Sequence, residues 1–191
     1  MNTILNGTTY TYELNGWTIS WESDGNYRHW CYQNHPQNNR DILIVMLNPG
    51  SLNETGANLT KDKTLEVLRE VFLDTGFNPF IINLFDLATP DPCELFQKWN
   101  NRDNKLLIYD KLKEKDFSGI IFAYGSYQDH HERGHAILER IKLVRDTFNR
   151  VPEIALRKNE NGTPKHPKRW RIEKLTQEIK SIIKTIRTEA S

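Results

Sequence analysis

The segment Asp41-Ile42-Leu43-Ile44-Val45-Met46-Leu47-Asn48-Pro49-Gly50 decides how this chain is expected to fold. Six aliphatic residues follow one another without polar alternation, the pattern of a parallel strand buried on both faces. The run stops at Asn48-Pro49-Gly50. Proline has no N–H to give to a sheet and glycine tolerates positive φ, so the strand must end here and turn. A side-chain amide, Asn48, is thereby held at the carboxyl edge of an apolar sheet, where open α/β folds bind ligands.

Working outward, three later segments repeat the pattern. Phe80-Ile81-Ile82-Asn83-Leu84-Phe85 is a second apolar run and is followed by the loop Thr89-Pro90-Asp91-Pro92; Ile120-Ile121-Phe122-Ala123-Tyr124-Gly125-Ser126 is a third, and Glu153-Ile154-Ala155-Leu156 a short fourth. Helical spacing is present at 64–73 (Leu65, Leu68, Val71, Phe72), and a helix over 104–115 starts at a capping residue, Asp103 or Asn104. The same spacing recurs at 132–148 (Ile137, Ile141, Val144, Phe148) and 171–187 (Ile172, Leu175, Ile179, Ile182, Ile183, Ile186). Upstream, 8–22 reads as a hairpin about Asn15-Gly16, and the polar, aromatic stretch Tyr27 to Asn39 leads into the first parallel strand. Strands alternating with helices predict an α/β fold: a three-layer αβα domain with a central, mostly parallel four-stranded sheet, plus an N-terminal β-hairpin. The whole of 1–191 is expected to be one domain, with 1–40 as a hairpin extension and 171–191 as a closing helix.

Composition narrows the function classes. An apolar fraction of 37% and a mean hydropathy of -0.68 suit a polar-surfaced protein with one sizeable core. Met1 to Tyr12 lacks a basic start followed by an apolar core, and no segment approaches the roughly 20 apolar residues that span a bilayer. Cys31 and Cys93 fit a reducing compartment, so the expected location is cytoplasmic, with no membrane partner. A formal charge of +1 gives no global case for nucleic acid. The local case is stronger, because 157–171 carries Arg157, Lys158, Lys165, Lys168, Arg169 and Arg171 against Glu160 alone.

Parallel strands point the same way, so Asn48-Pro49-Gly50, Asn83, Tyr124-Gly125-Ser126 and the late loop Thr163-Pro164-Lys165-His166-Pro167 are expected to share one crevice. Two amides, an imidazole and small residues, without a nucleophile or a carboxylate pair, suit a site that positions a water and hydrogen-bonds a planar heterocycle. These motifs, in this order, resemble the uracil-DNA glycosylase superfamily, and Asn48-Pro49-Gly50 is most similar to its mismatch-specific branch. More narrowly, Met46-Leu47-Asn48-Pro49, Asp62-Lys63-Thr64, Asn83-Leu84-Phe85, Ala88-Thr89-Pro90 and Gly162-Thr163-Pro164-Lys165-His166-Pro167 resemble the bacterial DUF1643 family, over roughly residues 28–170.

The resemblance implies a hydrolase, a monofunctional DNA N-glycosylase acting on a base flipped from double-stranded DNA or taken from a single strand. In that reading Asn48 holds the attacking water and Asn83 reads the base edge. His166 donates to the base oxygen as negative charge grows there. Pro49, Gly50, Ser51, Tyr124 and Gly125 line the substrate pocket. Lys165, Lys168 and Arg169 meet phosphates, and Trp170 or Arg169 wedges into the stack. The expected partner is DNA, the expected state a monomer, and no cofactor or metal is implied. Uracil-specific members carry an acid and a Tyr in the first motif, where this chain has Asn48 and the open pair Gly50-Ser51; the usual His-Pro-Ser is His166-Pro167-Lys168. These departures favour a larger or modified base, such as a hypermodified cytosine of phage DNA.

Simpler readings stand beside these. Asn48-Pro49-Gly50 alone is a strand-ending turn, Asn83 a cap, His166 part of a stiff loop, and Trp170 an anchor for the last helix. Asp62 and Thr64 most simply cap a helix, and a pocket-shaping role stands equally beside that. His131-Glu132-Arg133-Gly134-His135 matches the HExxH zinc pattern, with Glu139 or Glu153 as third ligand, but Arg133 lies inside it and Gly134 costs about 1 kcal/mol of helix propensity relative to alanine. A non-catalytic nucleic-acid-binding module on the same fold is the remaining alternative.

Overall fold

Strand-forming residues flank Asn15-Gly16, and these two take φ of 50° and 82°, the doubly positive turn a two-residue hairpin needs. They join β1 (Thr8–Leu14) to β2 (Trp17–Asp24) in antiparallel register. The computed structural model describes residues 7–50, 62–99, 105–126, 131–156 and 158–189. Within them the strands continue with β3 (Tyr27–Asn34), β4 (Arg40–Met46), β5 (Phe77–Asn83) and β6 (Phe117–Phe122). The helices are α1 (Lys63–Phe72), α2 (Pro92–Lys98), α3 (Lys105–Leu112), α4 (His131–Thr147) and α5 (Ile172–Glu189).

The sheet corrects the sequence expectation. It is six-stranded and mixed, in the order β1-β2-β3-β5-β4-β6, not a central, mostly parallel sheet of four. Only β5-β4 and β4-β6 are parallel; β1-β2, β2-β3 and β3-β5 are antiparallel. The cause lies in Tyr27–Asn34, which carries no continuous apolar run. It alternates instead: Trp30 and Tyr32 pack on one face, while Cys31 and Gln33 turn to the other. Trp30 pairs with Ile82 and Cys31 with Ile81, so β3 joins the β1-β2 hairpin to the parallel strands in one continuous sheet. The expected fourth parallel strand shrinks to one bridge, Ile120 to Glu153, held by Ile120 N–H to Pro152 O (2.9 Å) and Ile154 N–H to Ile120 O (2.8 Å). A further helix, α2, starts at the last residue of the expected loop Thr89-Pro90-Asp91-Pro92 and runs through residues to which no element was assigned. Asp91 caps it by accepting from Cys93 N–H at 2.7 Å, and Pro92 opens it.

Two apolar clusters cover the two faces. One joins Leu43, Val45, Phe80 and Ile82 to α2, α3 and α4 through Leu95, Ile108 and Ile141; the other joins Ile42, Ile44 and Ile81 to α1 and α5 through Leu68 and Ile179. Strand β4 is therefore buried on both sides, with Ile42 to Val45 all at 0% exposure. Among the described residues no helix is long and apolar enough to cross a membrane.

Trp21, 2% exposed and stacked on Tyr10 at 5.2 Å, belongs to the second cluster. Trp21→Ala is therefore expected to lower global stability by ~3–5 kcal/mol in urea denaturation. A two-step transition with an unchanged main step would show the hairpin to be an independent unit.

Candidate functional site

Because β4, β5 and β6 run parallel, their carboxyl ends meet at one edge. Asn83 lies beside Met46 in the register, Leu84 N–H donates to Met46 O (2.8 Å), and Ala123 N–H donates to Val45 O (2.7 Å). The structure thus brings Asn48-Pro49-Gly50, Asn83 and Tyr124-Gly125 to a common edge. Ser51 lies outside the described residues, as does Arg157.

Asn48 is half-buried, and its Nδ2 donates to Pro49 O and to Thr89 O, both at 2.8 Å. Carbonyl oxygens only accept, so the nitrogen must be the atom that faces them. Oδ1 is then the acceptor left to face a ligand or water. Thr89 N–H donates to Pro49 O at 3.1 Å, which stitches the strand end to the loop after β5 and fixes the amide. Asn83 is different: it is fully buried, and neither amide atom has a hydrogen-bond partner.

Tyr124 is 6% exposed and packs into the cluster beneath α4, with Phe122 edge-on at 6.3 Å. Burial raises its phenol pKa, against the nearby Arg145. It thus builds the wall behind the edge, while Gly125 takes φ of 86°, which turns the chain away after β6.

The late loop is tightly braced. Lys158 bridges to Pro164, and buried Thr163 is held by Asn159 Nδ2 (2.8 Å) and donates to Asn161 Oδ1 (2.7 Å). A single 3-10 turn, Pro167–Arg169, follows, with His166 as its cap. His166 Nδ1 accepts from Lys168 N–H at 3.3 Å, so the neutral ring carries its proton on Nε2. Burial, reinforced by Lys168 and Arg169 and opposed by Asp62, pushes its pKa down to about 4. Trp170 is tied in place, its indole N–H donating to Lys165 O at 3.0 Å and its ring packing on the α1–α5 core. Lys168 and Arg169 are exposed, and Lys165 is half-buried.

Two further residues reach this edge: Asp62, for which the sequence left a pocket-shaping role open, and Arg28, which sequence reasoning did not assign to it. Asp62 caps α1 through Oδ1, which accepts from Thr64 N–H (2.8 Å) and Leu65 N–H (3.3 Å). Its Oδ2 lies 3.8 Å from where a Cβ on Gly50 would sit, and its charge is felt by His166. Arg28, at the start of β3, is fully buried at the same edge.

The HExxH helix gives a different picture. His135 and Glu139 form an exposed i,i+4 pair at 3.0 Å, and Glu153 is engaged by Arg145 at 3.0 and 3.1 Å. The described residues contain no group of three His, Cys, Asp or Glu that could hold a metal; the side chains of His131 and Glu132 lie outside them. A polar cleft of about 650 Å³, bordered by Tyr32, Asn78, Lys115 and Asp116, opens at the opposite, amino end of the parallel strands and collects none of the motif residues.

The model of a family described as a protein of unknown function (DUF1643) matches residues 27–168. The chain belongs to the DUF1643 family. The match begins at β3 and ends in the His166 turn, so it takes in every strand end that forms the site. No curated protein and no solved structure matches the chain.

The low pKa of His166 has a stability consequence. Its folded value lies below the ordinary histidine value of about 6.5, so the unfolded chain binds the proton more readily. Its contribution is intact above about pH 6.5 and is lost as the pH falls toward 4. NMR titration of the His166 ring is expected to show a neutral imidazole down to about pH 4; a midpoint near 6.5 would contradict this picture of the loop.

Proposed function

We propose that the crevice at the carboxyl edge of β4, β5 and β6 hydrolyses the N-glycosidic bond of a flipped-out base in DNA, leaving an abasic site. Asn83 carries this reading. A buried amide without a partner costs about 1–3 kcal/mol for each unsatisfied group, and such costs persist at functional sites. One donor and one acceptor in a plane match the hydrogen-bonding edge of a nucleobase.

In this mechanism Oδ1 of Asn48 orients a water toward the sugar C1′. An amide is no base at neutral pH, so its contribution is position. Asp62 Oδ2, beside Gly50, adds a carboxylate able to take the proton from that water. The C1′–N bond breaks with its electron pair moving to the base, and water oxygen bonds to C1′. His166, neutral with hydrogen on Nε2, donates to the base oxygen as negative charge accumulates. The two hydrogens and oxygen of water end as the sugar hydroxyl and the base N–H. The missing side chain at Gly50 leaves room for a base larger than uracil, and the resemblance of Asn48-Pro49-Gly50 to the first motif of mismatch-specific glycosylases points the same way.

Exposed Lys168 and Arg169 supply the phosphate contacts. Lys168→Glu with Arg169→Glu is expected to weaken DNA binding and to flatten its salt dependence. Asn48→Ala and Asn83→Ala are each expected to cut base release about 100-fold while leaving the fold intact. Alkali-induced strand cleavage of DNAs carrying modified bases, with mass spectrometry of the freed base, measures this. DNA binding without any abasic product would instead establish a non-catalytic binding module.

A further inference from the structure

Arg28 is fully buried, and none of its three guanidinium nitrogens has a hydrogen-bond partner. Its neighbour Arg69, 7% exposed, shows the ordinary solution, donating to Gln33 Oε1 at 2.8 Å. A buried lysine or histidine can shed its proton, but a guanidinium remains charged at any physiological pH. A desolvated cation whose donors are all unmet is among the costliest things a fold can hold.

The backbone places Arg28 deliberately. Between β2 and β3 the register shifts: Glu22 pairs with Trp30, but Ser23 pairs with Arg28, leaving His29 as an extra residue. This bulge moves Arg28 to the face opposite Trp30. That is the face of Cys31, whose thiol burial pushes up to about 11, while Arg28 and Arg69 act to lower it and Asp62 to raise it. Asn83 occupies the same face, since Ile82 packs with Trp30 on the other. Arg28 N–H donates to Asp86 O at 3.0 Å, and the Asp86 carboxylate binds His29 Nδ1 at 2.8 Å, which pins the bulge to the chain leaving β5. Two fully buried side chains without partners, a guanidinium and an amide, therefore share one face and one edge of the sheet.

We propose that Arg28 and Asn83 together form the receptor for the departing base, with Arg28 as the fixed positive charge that stabilises the base as an anion. This rests on the glycosidic reading of the crevice. When the C1′–N bond breaks, the pair stays with the heterocycle and spreads onto its ring nitrogen and carbonyl oxygen. Arg28 donates to that oxygen-nitrogen edge, and Asn83 supplies the remaining donor and acceptor. The water proton then passes to the base nitrogen, which returns the base to neutrality and weakens its hold on Arg28. His166, neutral at pH 7, supplies hydrogen-bonding but not charge. A flat, dehydrated guanidinium beside a flat amide suits a planar ring, not a hydrated phosphodiester.

The test is Arg28→Met, which keeps the length and removes the charge. Its melting temperature is expected to equal or exceed that of wild type, because a buried cation with unmet donors is gone. Base release is expected to fall about 100-fold or more, and by a larger factor for bases whose N–H is less acidic. A lowered melting temperature would show a structural cation and overturn the proposal. So would a loss of rate equal for good and poor leaving groups. If wild type releases no base from any DNA, the glycosidic reading fails separately, and nitrate serves as a planar anionic probe. Thermal stabilisation by nitrate in wild type but not in Arg28→Met supports the anion receptor; equal shifts in both, or in response to phosphate alone, overturn it.

Discussion

Strand β5 has no exposed residue, and every backbone group along it must find a partner inside the sheet. That constraint organises the molecule. On one side β4 satisfies it in parallel from Arg40 to Met46; on the other, β3 satisfies it antiparallel through Trp30, Cys31 and Tyr32. The antiparallel half is thereby bonded to the parallel half, and the amino end of β3 is delivered to the carboxyl edge of β5. Without that pairing Asn83 would face an open sheet edge, and Arg28 would have no reason to be buried.

The parallel half was legible in the sequence because its strands are buried on both faces and read as unbroken apolar runs. Ile42 to Leu47, Phe80 to Ile82 and Ile120 to Phe122 are such runs, and the helices packing on them show their spacing directly. Strand β3 was not legible. Arg28, His29 and Gln33 are each buried but polar, so hydrophobic periodicity could not separate this strand from a loop. The segment at Glu153 to Leu156 misled in the opposite direction: apolar in composition, it forms one bridge, and Ile154 fills the space above Gly119.

The site divides along the same line. Asn48, Asn83 and Gly125 end strands that the sequence displays, so their convergence could be anticipated. His166 was suggested by its loop, but the partial burial that lowers its pKa depends on tertiary packing, since the 3-10 turn it caps rests on α1. Asp62 was open to two readings, a helix cap and a pocket residue, and only the tertiary fold shows one oxygen capping α1 while the other lies near Gly50. Arg28 reaches the edge only through a one-residue bulge, and a bulge leaves no pattern in a single sequence. What remained unread were the charges, whose positions depend on tertiary register and not on periodicity.

The candidate site also has a bearing on how the chain acquires its shape. Strands β1 to β3 close through short hairpins, whereas pairing Trp30 with Ile82 or Val45 with Phe122 requires distant segments to find one another. Such long-range closures form late and set the pace of folding. Arg28, Asn48, Asn83 and His166 come from segments spread across most of the chain. The crevice is therefore assembled only once those distant segments have paired, and a half-folded or nascent chain lacks it.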